Sequence, residues 1–166
     1  MKTLSPQGIK ILKIIHLLLA GIWIGGAVAL TLLLFALSPD DAHGMYIKSR
    51  ALQLIDDWMI IPGAVGCFLT GLVYAIWTKW GFFKHHWITV KWVLTVAMIA
   101  FGTVALGPWI NGNVYPVAEI ARYADAGNAE YAHNLLQSKI WGSLQTSLFL
   151  FIFAISVLKP WKKKST

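Results

Sequence analysis

Four long apolar stretches, at 14–37, 58–77, 87–108 and 140–158, dominate this chain of 166 residues. Each approaches or exceeds the ~20 residues that a helix needs to cross a bilayer. Lipid offers no hydrogen-bond partners, so a spanning backbone must satisfy its own groups, and the stretches read as helices. The expected fold is all-α: a polytopic four-transmembrane-helix bundle forming a single domain over 1–166. The loop at 109–139 should add a short extracytoplasmic helical segment.

Composition agrees with that reading. The chain is 57% hydrophobic and 13% charged, about half the ~25% charge of soluble domains. A soluble core could not bury so much apolar surface. No cleavable leader is expected, because 17–37 is too long for a signal-peptide core and no small-residue cleavage site follows it. Cys67 is the single cysteine, which excludes an intrachain disulfide and any multi-cysteine metal motif. Phosphate-binding loops, dinucleotide fingerprints, nucleophile elbows and His-Glu-x-x-His zinc motifs are absent.

The net charge of +7 has an explanation other than nucleic acid, for which no partnership is expected. Lys2, Lys10, Lys13, Lys79, Lys84, Lys159, Lys162, Lys163 and Lys164 all fall on one side of a four-span arrangement. Lys48, Arg50, Arg122 and Lys139 fall on the other, with all seven acids. By the positive-inside rule the first side is cytoplasmic, with both termini there. The expected location is a bacterial inner membrane, with the bilayer itself as the first partner. Trp58, Trp77, Trp87, Trp109, Trp141 and Trp161 lie near span ends, as an interfacial aromatic belt requires.

Two ionisable residues lie inside the spans. His16 and Lys91 are each about one turn in from the basic side. A lysine at a helix centre costs roughly 2.5–3.5 kcal/mol on insertion scales, so such groups usually face a partner, a cavity or a cofactor. Tyr74 on the second span and Ser156 on the fourth come at comparable depth. Offsets of three and four place His16, Ala20, Trp23 and Ala27 on one stripe, Gly63, Gly66, Thr70 and Tyr74 on another, and Lys91, Thr95, Met98 and Gly102 on a third. Gly21 and Gly25 form a small-xxx-small pair suited to close helix contact. His16 reads as a cofactor ligand or as an interhelical hydrogen-bonding group. Lys91 reads as a site residue or as a side chain snorkelling to the interface. His43, His85, His86 and His133 read as solvated loop residues. Asp56 and Asp57 are expected to start a helix and to pair with Arg50 or Lys139. The segment 116–138 should be helical in two pieces, broken near Gly127 and Asn128, with Asn128 capping a helix that continues into the fourth span.

Ile15-His16-Leu17-Leu18 followed by Trp23-Ile24-Gly25-Gly26 resembles the first helix of HemJ-type protoporphyrinogen oxidases and of copper-resistance D proteins. Thr70-Gly71-Leu72 is similar to their Thr-Gly-Leu element. Trp87-Ile88-Thr89-Val90-Lys91 and Lys159-Pro160-Trp161 resemble the third-helix start and the chain ending of HemJ. The resemblance covers most of the chain, in order. It implies haem b, with His16 as an iron ligand and Lys91 as a site residue, either a second ligand or the partner of a propionate. HemJ follows its first helix with a Pro-Arg-Leu-Phe-Val-Tyr-His-like stretch. Here 29–36 reads Ala-Leu-Thr-Leu-Leu-Leu-Phe-Ala, without Arg or His. The chain thus resembles a relative that keeps the fold and the haem while departing from the protoporphyrinogen oxidoreductase pattern.

The expectation is therefore a haem b-binding membrane protein with a redox or porphyrin-related role. His16 and Lys91 would be the metal-site residues, and Trp23 and Tyr74 would line the cofactor. A membrane redox partner or a quinone, and a homo-oligomer, are compatible partners. The alternatives are a copper-handling protein, with Met59, Cys67 and Met98 as soft ligands, and a cofactor-free scaffold.

Overall fold

The structure, a computed structural model, describes residues 4–78, 81–114 and 129–159. Every regular element among them is helical. Four helices are long and apolar enough to cross a membrane: α1 Pro6–Ala36, α2 Ala42–Trp77, α3 His86–Asn111 and α4 Ala129–Leu158.

The helices outrun the apolar stretches because caps, not hydropathy, set their ends. Ser5 accepts a hydrogen bond from the Gly8 N–H at 3.1 Å, and Pro6 occupies the first turn, so α1 starts well before residue 14. Asp41 accepts from the Gly44 N–H at 3.2 Å and starts α2 at Ala42. Asp56 and Asp57 therefore lie in mid-helix, a correction to their expected place at a helix start. Residues 129–138 form the first turns of α4 as one continuous helix with the fourth span. The rest of the expected outer cover, 116–128 with Gly127 and Asn128, lies outside the described residues, as do Pro160 and Trp161.

Two helices contain a widened π-helical turn, Asp56–Ile60 in α2 and Gly102–Leu106 in α3. Each is followed by a proline in the first turn of the resumed α-helix, Pro62 and Pro108. Proline donates no N–H and its ring collides with the carbonyl four residues back. The wide turn absorbs that conflict: the Ile61 N–H reaches Asp56 O and the Gly107 N–H reaches Gly102 O, each five residues back. The third helix accordingly passes Pro108, its expected end, and runs to Asn111.

Between helices in lipid, close van der Waals packing replaces the hydrophobic effect as the main adhesive. α1 and α2 meet where side chains vanish. A methyl on Gly63 would lie 2.8–3.0 Å from Trp23 Cβ, N and Cα, one on Gly66 2.7 Å from Leu19, and one on Gly26 2.9 Å from Met59 Cβ. Gly21 and Gly25 have nothing within 4 Å of such a methyl. The expected close contact at that pair is corrected within this chain: Gly26 carries it, one residue round the helix. Trp23, Ala27, Ala64, Cys67, Met98, Phe149 and Ile152 form one buried cluster. Leu30, Leu34, Leu52, Leu106 and Ile110 form a second, further along α1. Large residues such as Leu18, Leu32, Val104 and Leu158 point outward, where lipid would lie.

Leu4 and Lys159, the first and last described residues, lie at the same end of the bundle. The Leu4 N–H donates to Trp77 O at 3.0 Å, and Lys159 Nζ lies 5.9 Å over the Trp87 ring. The starts of α1 and α3 and the ends of α2 and α4 thus share one end, which carries His16 and Lys91.

Candidate functional site

His16 lies at the contact of α1 with α2, facing α3. Its Nδ1 is 2.7 Å from Thr70 Oγ1. The Thr70 hydroxyl directs its own proton at carbonyls of its helix, Gly66 O at 2.7 Å and Cys67 O at 3.2 Å. It has no second proton to give, so toward His16 it accepts. This arrangement suits the tautomer with the proton on Nδ1 and the lone pair on Nε2. Lys91 Nζ stands 3.5 Å from that Nε2, at the long limit of a hydrogen bond. Tyr74 closes a third side, its ring edge-on to the imidazole with centroids 5.9 Å apart and its hydroxyl 3.4 Å from Ile9 O. Cys67 Sγ is 3.9 Å from His16 O, on the backbone side.

The three helices thus bring together His16, Lys91 and Tyr74, as their depth and stripes suggest, and add Thr70 as the residue that orients the imidazole. Lys91 faces the histidine instead of snorkelling outward. Trp23 lies about two turns deeper along α1, packed edge-on against Phe149 at 4.5 Å, in a separate cluster. Ser156 does not join the site either. Its hydroxyl donates to Ile152 O on its own helix at 2.7 Å. Among the described residues no three His, Cys, Asp or Glu side chains converge as a metal site.

The opposite end has its own polar order. Lys48, only 3% exposed, donates to Leu37 O at 2.6 Å and Leu34 O at 3.3 Å, capping the last carbonyls of α1. Asp56 meets Asn111 Nδ2 at 3.5 Å, and Asn134 Nδ2 donates to Asn113 Oδ1 at 3.2 Å. Arg50 donates to Gln53, and Lys139 lies 5.4 Å over the Phe35 ring, so neither is the partner that Asp56 was expected to have. His43, His86 and His133 are exposed, whereas His85 caps the start of α3 with its ring stacked on Trp87.

Fold and composition define an integral membrane protein with four spanning helices. Residues 10–160 match the family described as "Predicted integral membrane protein (DUF2269)", and the chain belongs to it. No curated protein and no solved structure matches the chain.

Proposed function

We propose that this chain is a haem b-binding membrane protein in which His16 holds the iron through Nε2, with Lys91 the basic group of the same site. One observation carries the reading: Thr70 anchors His16 Nδ1 at 2.7 Å and leaves Nε2 facing Lys91 across the helix interface. Metal-bound histidines commonly anchor their other ring nitrogen in this way. Membrane bundles hold haem between helices through such imidazoles. The HemJ resemblance around His16 and Lys91 points the same way.

The donor set fits with one condition. Lys91 Nζ now occupies the approach to Nε2 at 3.5 Å, so an iron there requires the ammonium to turn aside on its flexible four-carbon stem. Bound haem would supply one-electron redox chemistry. The protein's own contributions are the oriented imidazole, the adjacent lysine amine and the surrounding apolar helices, which keep water out.

The basic end of the bundle, with both chain termini, is assigned to the cytoplasmic face of a bacterial inner membrane on the Lys/Arg bias. The copper reading has less behind it. Cys67 and Met98 share one core cluster, but the Cys67 thiol is turned toward His16 O, and Met59 packs on Gly26.

Titration of haem into purified protein tests the proposal. Saturable binding at one site, lost in His16→Ala and spectrally shifted in Lys91→Met, is expected. Binding of equal strength in His16→Ala moves the ligand elsewhere, with His86 the next candidate. If no haem binds at all, His16 and Lys91 are an interhelical hydrogen-bonded tie in a cofactor-free protein.

A further inference from the structure

A cavity of about 470 Å³ lies in the half of the bundle away from His16, between all four helices. Its volume is within the roughly 300–1,000 Å³ of small-molecule sites. Both π-helical turns line it, through Asp56 and Ile60 in α2 and through Gly102, Thr103 and Leu106 in α3. Such turns recur at functional sites because they displace backbone and side chains from regular packing.

Its walls are mostly apolar, yet they carry polar groups without partners. Trp23, 5% exposed, has a buried indole Nε1–H that donates to nothing. Gln145, 9% exposed, makes no hydrogen bond with its amide among the described residues, and it lies one turn before Phe149, the ring that Trp23 touches. Asn111 Oδ1 is buried without a donor beside Asp56. Trp23 Nε1 and Asn111 Oδ1 are sealed from the cavity as well as unpartnered, so the Gln145 amide, without a partner beside the cavity, is the polar group that a ligand there would complete.

The opening indicates how the ligand enters. Val65 of α2 and Thr103 of α3 line the cavity and are exposed on the outside of the bundle, where lipid would lie. α2 and α3 pack at the end away from His16, where Asp56 meets Asn111 and Leu52 joins Leu106 and Ile110, and touch again where Phe68 meets the Trp92 ring at 5.7 Å; between those contacts 61–77 and 86–106 scarcely pack together. A side door of this kind admits a molecule dissolved in the membrane.

We infer that this cavity binds a quinone or quinol headgroup. The ligand must be uncharged and lipid-soluble to pass the door. It must carry an oxygen acceptor for the Gln145 N–H groups, and a flat ring suits the aromatic floor of Trp23 and Phe149. A quinone offers a carbonyl oxygen to the Gln145 N–H, and a quinol offers a hydroxyl to Gln145 Oε1. A fatty acid is disfavoured, because its carboxylate would share the cavity with Asp56. The inference is independent of haem at His16.

Decylubiquinone titrated into the full chain in lipid nanodiscs, followed by quenching of tryptophan fluorescence, tests it. Saturable binding is expected, weakened about five- to tenfold by Gln145→Leu and largely lost in Thr103→Trp, which plugs the door. Gly21→Ala, whose methyl meets nothing within 4 Å, should bind as wild type. Labelling of the wild-type chain with an azido-quinone guards against variants that fail to fold, and labels should fall on segments bearing Trp23, Thr103 or Phe149. Non-saturable partitioning, affinity unchanged in both cavity variants, labels confined to other segments, or an acyl lipid that the quinone cannot displace would each overturn the assignment.

Discussion

Thr70 Oγ1 lies 2.7 Å from His16 Nδ1 and 2.7 Å from Gly66 O, so with its own proton on Gly66 O it accepts from the imidazole. This contact sets which imidazole nitrogen is free. Thr70→Val keeps the shape and removes the acceptor. Haem affinity should fall about 10- to 100-fold, in the range seen for outer-shell partners of metal-bound histidines, while the helices still insert. Haem titration of the variant checks this, and unchanged affinity would show that the hydroxyl does not orient the ligand.

Gly63 and Gly21 form a matched pair for testing helix packing. Gly63→Ala drives a methyl to within 3.0 Å of the Trp23 backbone and should destabilise the bundle by about 1–3 kcal/mol. Gly21→Ala meets nothing within 4 Å and should change stability by less than about 0.5 kcal/mol. Denaturation of both variants in mixed detergent micelles measures the contrast. Equal losses would mean that Gly21 faces another copy of the chain.

Lys48→Met should loosen the joint between α1 and α2. It strips the donor from the buried Leu34 O and the partly buried Leu37 O, a loss of about 1–3 kcal/mol for an unsatisfied buried group. Amide exchange should quicken in the last turn of α1 before it does elsewhere. Protection unchanged in that turn would indicate that water or lipid headgroups replace the ammonium.

Reporter fusions after Lys164 and at residue 114 should place the first in the cytoplasm and the second outside, as the Lys/Arg bias requires. The even number of spans already places Leu4 and Lys159 at one end of the bundle. An outward-facing carboxy-terminal reporter would invert the orientation without altering the bundle.

The spans, their number and the meeting of His16, Lys91 and Tyr74 are legible in the sequence, because apolar length and helical periodicity fix depth and face together. The caps at Ser5 and Asp41 escape that reading, because apolar length alone starts the first two helices too late. Lys48 reads as one more surface charge, since nothing local shows that it reaches back eleven residues to Leu37 O. Pro62 and Pro108 are the visible signs of the two π-helical turns. The cavity those turns help to form depends on how four helices pack, which no single segment encodes. Gln145 illustrates the gap: in sequence it is one polar residue in the first half of a span, and only the fold shows that its amide has no partner.

The most direct measurement is the visible absorption spectrum of the chain purified from haem-replete cells, beside His16→Ala prepared in the same way. A Soret band in the wild type that is lost or strongly shifted in the variant, with both proteins inserted and equally abundant, is the predicted result. No Soret band in the wild type would contradict haem binding, and an identical band in both would contradict His16 as its ligand.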